Sequence, residues 1–430
     1  MDQPFLERVR LRNYKSVAQC DVELGRFTVL VGRNGSGKSN FLDALRFVAD
    51  SLQSSLDHAI KERAGIDAVR RRSTGHPHNF TIELVLVLPG RQQWARYGFE
   101  IAARRNGGFA VRWEKLALYP PGKIRPPRQP DSPLQEQTQL DLLRPAAAPT
   151  AFYEVREGAI QGHSAASMPP APADRLYLVN AAGLPDFRPV YDALTAMGFY
   201  NLNPETIKDL QSPDAGELLR RDGSNIASVI ARLGQEDRAC KERIKDYLEK
   251  IVPGITDFDR LALGPKETLQ FRQRIQGATH PWTFYAANMS DGTLRALGIL
   301  VAVNQVAASR HAATLVGIEE PETALHPAAS GALIDALRSA SQDTQIVFTS
   351  HSPDLLDHID PTADEILVVQ SDEGTSRIAT IDRASRETIK DHLYTAGDLL
   401  RMDQLEGDAD DLAGQDQLEF WPKDESGTAV

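Results

Sequence analysis

The sequence predicts an α/β protein in which a mostly parallel sheet is joined to an antiparallel one, and three observations carry that expectation. Apolar runs that stop at glycine or at acids alternate with helical stretches in two separate regions, 26–52 and 290–350. This is the pattern of parallel strands connected by helices. Between them, residues 79–119 hold three alternating runs, FTIELVLVL, RYGFEIAA and FAVRWEKLALY, separated by turn residues, which reads as antiparallel sheet. A length of 430 residues with 41% hydrophobic content supplies a sizeable core and room for two domains, or for one large domain carrying an insertion.

Taken in order, FLERVRLRNY alternates apolar and charged residues like a half-buried strand, and RFTVLVG is a short apolar run closed by glycine. SNFLDALRFVADSL then places Phe41, Leu42, Leu45, Val48 and Leu52 at helical spacing. These elements and the antiparallel runs make residues 1–119 one unit. Composition changes at YPPGKIRPPRQPDSP, and eleven prolines fall between 120 and 172, so residues 120–175 read as a Pro-rich flexible linker. Residues 176–254 look helical (VYDALTAMG, SNIASVIARLG, CKERIKDYLEKIV) without a sustained heptad, which argues against a coiled coil. From 255 to 402 strands return, then MSDGTLRALGILVAVN (helix), TLVGIEE (strand), PAASGALIDALRSA (helix) and TQIVFTS (strand) alternate. YTAGDLLRMDQLEG (394–407) reads as a helix entering the final segment.

The net charge of −11 is uneven. From Asp403 to residue 430 there are nine acids against Lys423, so 403–430 is an acidic tail, expected as a solvated and poorly ordered end. The rest of the chain is close to neutral, which leaves room for an anionic partner. Cys20 and Cys240 are isolated, so neither a disulfide framework nor a zinc site is expected. The polar start and the absence of a long apolar run point to a cytoplasmic protein without a membrane segment.

The chemistry is concentrated in three places. Residues 32–39, GRNGSGKS, form the full GxxxxGK[ST] pattern between an expected strand and an expected helix, the context that makes it a P-loop. Gly32, Asn34, Gly35, Ser36, Gly37, Lys38, Ser39 and Asn40 are therefore the candidate nucleotide-binding residues: backbone N–H groups and the helix start face the phosphates, Lys38 reaches the β and γ phosphates, and Ser39 binds Mg²⁺. TLVGIEE ends in two acids, of which Glu319 would hold the metal through water and Glu320 would polarise the attacking water. QIVFTSHSP delivers His351 to the same sheet edge, as a sensor of the γ-phosphate. Lys38, Glu320 and His351 are the expected catalytic set.

With these residues the chain resembles the ABC-type ATPase heads of the RecF and SMC group, and most closely the RecF-like and OLD-like bacterial ATPases. The matching segments are LRNYKSV, GRNGSGKSNFLDAL, MSDGTLR, IEEPETALHP and FTSHSPDLL, which cover roughly 5–120 and 255–370. The resemblance implies a P-loop NTPase with a mixed parallel core sheet, an N-terminal antiparallel β-subdomain and an inserted helical lid at 176–254. It also implies a composite site, in which Ser290, Asp291 and Gly292 of MSDGT act as a signature in trans, capping the γ-phosphate of a second copy. ATP would then join two heads as a homodimer.

Departures from the family are visible too. Glu319 stands where many relatives carry aspartate, which implies slow hydrolysis, and the glutamine that reaches the metal is not evident; RRRSTGHPHNF (70–80) lies where its loop would be. DADD at 408–411 lacks the apolar strand of a Toprim nuclease site, so a nuclease would come from a partner. The leading expectation is an ATP-gated, DNA-associated ATPase in repair or genome maintenance. The basic clusters Arg70 with Arg71 and Arg72, Arg104 with Arg105, Lys123 with Arg125 and Arg128, and Arg220 with Arg221 are candidate phosphate contacts. The alternative is the ATPase sensor of an anti-phage defence complex that controls a separate nuclease or toxin.

Overall fold

The structure, a computed structural model, describes residues 5–71, 79–88, 90, 93–104, 108–121, 148–305, 313–415, 420 and 421. The strands are β1 (Leu6–Tyr14), β2 (Val17–Glu23), β3 (Phe27–Val31), β4 (Phe80–Val87), β5 (Trp94–Ala103), β6 (Phe109–Tyr119), β7 (Ala151–Arg156), β8 (Ala159–His163), β9 (Gly198–Tyr200), β10 (Ile255–Leu263), β11 (Lys266–Gln273), β12 (Trp282–Tyr285), β13 (Leu315–Glu319), β14 (Gln345–Ser350), β15 (Glu365–Asp372) and β16 (Thr375–Thr380). Thirteen of them form one sheet in the order β8-β7-β6-β5-β4-β1-β2-β16-β15-β3-β14-β13-β9, and β10-β11-β12 form a second.

The large sheet is mixed. β15, β3, β14, β13 and β9 run parallel to one another, β15 is antiparallel to β16, β16 meets β2 in parallel, and the pairings among β1, β2 and β4 to β8 are antiparallel. The parallel strands are short and mostly apolar because both of their faces are covered. Phe27, Val29 and Val31 of β3 point into one core layer, with Ile346 and Phe348 of β14, and Leu30 and Val347 into the other. The helix Lys38–Gln53 closes the second layer with Phe41, Leu42, Leu45 and Val48. The helices Ile226–Glu236, Arg238–Ile251, Asp291–Asn304 and Ser330–Ala340 close the first. Thirteen of the fourteen residues of the Asp291–Asn304 helix are buried, as expected of a helix surrounded by protein on every side.

Three sequence expectations change at this level. The stretch expected as linker contains β7 and β8, which extend the antiparallel sheet beyond β6. The prolines lie on either side of them, and AFYEVREGAIQGH itself alternates apolar and polar residues. Residues 176–254 are helical as expected but are not a separate lid: β9 pairs with β13 at the edge of the parallel sheet, and the helices at 226–251 belong to the main core. In the acidic segment, Ala409–Gln415 is a helix whose Asp411 accepts from the Thr380 hydroxyl at 2.6 Å, and the buried Gln415 donates to the Ile378 carbonyl at 2.7 Å. That part is folded onto β16 rather than solvated. Of the 394–407 stretch, Ala396–Arg401 is helical, opened by a capping box between Thr395 and Asp398.

Two carboxylates, one half-buried and one fully buried, bolt the layers together. Asp43, on the helix after the P-loop, accepts from the Tyr14 hydroxyl at 2.8 Å and pairs with Lys15 at 2.6 Å and Arg63 at 3.0 Å. Burial alone would raise its pKa; Arg63 and Lys15 outweigh burial and hold it at about 2. Glu114 of β6 is fully buried and accepts from Tyr153 at 2.7 Å, Tyr97 at 3.1 Å, the Leu178 N–H at 2.8 Å and the Tyr177 N–H. It fastens β5, β6 and β7 to residues 177–178. Here desolvation exceeds the effect of the four donors and lifts the carboxyl to about 7.

The sign of that shift sets a pH dependence. Between the ordinary value of 4.5 and about 7, the folded state retains a proton that the unfolded chain has released, so stability falls as pH rises through this window and levels off above it. Its size is about 3 kcal/mol. Urea unfolding at pH 5 and pH 8 should show the decline in the wild-type chain, and Glu114→Gln should remove that component of it.

Candidate functional site

The site follows from strand register. Val31 of β3 pairs with Ser350 of β14, and Thr349 of β14 pairs with Glu319 of β13, all parallel. The next residues along, Gly32, His351 and Glu320, therefore emerge side by side at the carboxyl edge, with neighbouring strands about 4.8 Å apart. Ligands of open α/β sheets bind at this edge.

The loop 32–37 is braced from outside. Asn40 Nδ2 donates to Ser16 Oγ at 2.6 Å, the Ser16 and Ser376 hydroxyls are 2.6 Å apart, and Ser376 donates to the Ser36 carbonyl at 2.6 Å. Gly37 starts the helix with φ 106°, and a Cβ there would lie 2.0 Å from Ser376 Oγ. Only glycine permits both the left-handed backbone and the contact. Lys38 is buried, with its ammonium 2.7 Å from the Gly32 carbonyl and 3.0 Å from that of Arg33. Desolvation lowers its pKa, against the opposing pull of Glu320 and Glu322. The Ser36 hydroxyl is buried without a hydrogen-bond partner among the described residues, while Asn34, Gly35 and Ser39 are exposed.

Across the edge, Glu320 has φ 44°, unusual for a side-chain-bearing residue. Its N–H is held by the Thr349 carbonyl at 3.1 Å and hydroxyl at 3.2 Å. Arg295, from the buried helix, donates to the carbonyls of Glu319 at 2.9 Å, Glu320 at 3.1 Å and Leu202 at 3.0 Å. Desolvation lowers the Arg295 pKa, and Glu322, Glu320 and Glu319 oppose the shift. The Glu320 carboxylate lies 3.3 Å from His351 Nδ1, and both side chains are partly exposed. Glu322 completes the arrangement: its Oε1 accepts from Ser350 Oγ at 2.7 Å and from the His351 N–H at 3.2 Å. Its Oε2 is buried with no partner among the described residues.

Ser290, expected to face a second copy, is exposed and caps the Asp291–Asn304 helix, accepting from the Thr293 N–H at 3.2 Å. Asp291 pairs with Lys208 at 2.6 Å. A Cβ at Gly292 would sit 2.3 Å from the Ala324 carbonyl, so glycine seats this helix start directly on the segment that follows Glu320. The capping and outward-facing readings of Ser290 are thus compatible.

A family model described as "AAA domain, putative AbiEii toxin, Type IV TA system" matches residues 27–357. The chain belongs to this family. Its fold is that of SMC-type ABC ATPase heads, and parts of its sequence are similar to RecF and Smc. It is 34% identical over 100 residues to the DNA replication and repair protein RecF of Gloeobacter violaceus, a match covering 22% of this chain and 26% of RecF. It is 48% identical over 44 residues to the chromosome partition protein Smc of Methanocaldococcus jannaschii, covering 10% of this chain and 4% of Smc. The chain thus spans about a quarter or less of these relatives' length. Two solved structures share its fold at a TM-score of 0.55. One is an SmcHead bound to the C-winged helix domain of ScpA, with 14% identity over 90% of this chain and all of that one. The other is an Smc head domain with an extended coiled coil, derived from Pyrococcus furiosus and bound to the C-terminal domain of ScpA, with 12% identity over 91% of this chain and 99% of that one.

In this ATPase fold, sequence reasoning missed the supporting residues Ser16, Ser376, Thr349, Arg295 and Glu322. Glu322 stands inside IEEPETALHP and could have been singled out there; the serines sit hundreds of residues apart and carried no signal. Among the basic clusters, Arg221 lies 3.6 Å from Glu319, Arg220 pairs with Asp214, Arg70 with Asp67, and Arg71 donates to Thr375. Arg72, Arg105, Lys123, Arg125, Arg128 and residues 72–78 of the 70–80 loop lie outside the described residues.

Because Glu322 carries two hydrogen bonds from the His351 segment to a charged acceptor, Glu322→Ala should destabilise the fold by about 2 kcal/mol. Chemical denaturation measures the loss, and hydrogen exchange should localise it to the His351 amide.

Proposed function

We propose that the chain binds ATP at residues 32–40 and hydrolyses it with Mg²⁺, slowly, in a homodimer that closes around the nucleotide. The observation that carries this reading is the shared edge at which Gly32, Glu320 and His351 emerge from adjacent parallel strands. Backbone N–H groups of the loop and the helix start cradle the phosphates. The Ser36 hydroxyl, buried without a described partner, is a further donor there. Lys38 exchanges its two carbonyl contacts for phosphate oxygens.

One hydroxyl, Ser39, and one carboxylate, Glu319, are a donor set that suits Mg²⁺, which retains several waters and takes its other ligands from phosphate. When bound, the ion neutralises charge that develops on the phosphoryl oxygens. Glu320 polarises the attacking water, and its strained backbone, clamped by Arg295 and Thr349, fixes the aim of the carboxylate. His351, hung from Glu322 and 3.3 Å from Glu320, donates toward the γ-phosphate. Ser290, exposed at the start of the Asp291–Asn304 helix, caps the phosphate of the second copy, and the buried Gly292 seats that helix start against the segment after Glu320.

We assign the output of this cycle to DNA repair or genome maintenance, the role that the names of RecF and Smc support. A second reading, regulation of a separate nuclease or toxin in anti-phage defence, is favoured by the toxin–antitoxin wording of the matched family.

Lys38→Ala should abolish ATP binding in equilibrium titration, and retained tight binding would overturn the loop assignment. Glu320→Gln should accumulate an ATP-dependent dimer in gel filtration. For the DNA role, ATPase rates with duplex and single-stranded DNA at low salt should rise severalfold and lose the stimulation as salt increases; a flat response to both favours the partner-protein reading.

A further inference from the structure

The outer face of the antiparallel sheet carries polar side chains that the ATPase cycle does not use. Register aligns three rungs there: Arg10, Glu83, Gly98 and Lys115; then Val85, Arg96 and Ala117; then Val87, Trp94 and Tyr119. Trp94 and Tyr119 stack at 3.9 Å, and Arg10 and Arg96 both pair with the buried Glu83, at 3.0 and 2.6 Å, so their guanidinium groups are held in place. With no side chain at Gly98, the Glu83 side chain packs close over that position: a Cβ there would lie 3.2 Å from Glu83 Cγ.

Two residues of the acid-rich segment occupy this face. The Phe420 ring lies 4.8 Å from Arg10 Cζ and 5.8 Å from that of Arg12; the Trp421 ring lies 4.4 Å from Arg96 Cζ and 5.7 Å from Lys115 Nζ. Trp421 also packs on Val85, Trp94, Ala117 and Tyr119, and its backbone N–H donates to Glu83 Oε2 at 3.0 Å. Cations under two ring faces, an apolar floor and a carboxylate that receives a main-chain N–H are the elements of peptide recognition.

The geometry points to a docking site for an acid-rich peptide bearing an adjacent aromatic pair, filled in cis by Phe420 and Trp421 and open to a partner protein that carries such a segment. In the sequence Asp416 and Glu419 precede the pair and Asp424 and Glu425 follow it, opposite in sign to Arg10, Arg12, Arg96 and Lys115. Nucleic acid fits less well: Glu83, Glu154 and Asp21 stand among these cations, and a phosphate backbone has no N–H to offer Glu83 and would be repelled by all three.

The test uses the full chain and a labelled peptide of residues 413–426. Fluorescence anisotropy should show saturable binding to the F420A/W421A chain, at least tenfold tighter than to the wild-type chain, whose own segment competes at high effective concentration. The same peptide with both aromatics changed to alanine should not bind. In the unaltered chain, hydrogen exchange at the Trp421 amide should accelerate when peptide is in excess, a readout independent of how the variant folds. Equal binding to both chains, no binding to the variant, or unchanged exchange at Trp421 overturns the proposal. So does displacement of the peptide by a single-stranded oligonucleotide, which would make the face a nucleic-acid site, or a dimer of the wild-type chain that F420A/W421A abolishes, which would make the occupant a second copy. None of these readouts requires nucleotide.

Discussion

Parallel pairing of β3 with β14, and of β14 with β13, is the constraint from which the site derives. A parallel ladder fixes where each strand ends relative to its neighbours, and a slip of one residue would turn every side chain to the opposite layer. Because Phe27, Val29 and Val31 are committed to one core and Leu30 to the other, the register cannot drift without mispacking both layers. The separation of Gly32, His351 and Glu320 is therefore guaranteed by apolar burial on both faces of the sheet. The chemistry at the edge inherits a geometry that the core maintains.

On that frame, finer positioning comes from polar groups that span the chain. Ser376 reaches from β16 to hold the loop between β3 and its helix, and Arg295 reaches from the buried helix to three carbonyls around Glu320. Glu322 ties the His351 backbone to the segment that follows Glu320. These contacts leave little freedom on either side of the edge, so a left-handed residue at position 320 is tolerated where an unsupported one would relax.

The parts of this arrangement that were legible in the sequence are local ones. GRNGSGKS, TLVGIEE and TSHSP each place their chemistry beside the strand that presents it, so a reader of neighbouring residues finds Lys38, Glu320 and His351. Ser16 and Ser376 meet across 360 residues, Arg295 reaches carbonyls 24 to 93 residues away, and nothing in their immediate surroundings distinguishes them from ordinary surface or core positions. β7 and β8 were obscured by prolines that flank them, since composition averaged over fifty residues hides a thirteen-residue alternation. β9, with three residues, is too short for any period to register. The acidic segment was read by its charge, and its two aromatics acquire meaning only because Arg10, Arg96 and Lys115 come together on three different strands.

The order of strands in the large sheet also has a consequence during synthesis. β3 is flanked by β14 and β15, whose residues begin some three hundred positions later. Until those are made, a nascent chain carries a five-residue strand, apolar except for Thr28, with both hydrogen-bonding edges unpaired, the type of surface that invites wrong partners. The helix Lys38–Gln53 and the antiparallel strands can shelter one of its faces but neither edge. Synthesis of this head on the ribosome thus involves a long wait with its central strand exposed, and the yield of folded protein should depend on what shields that strand in the interval.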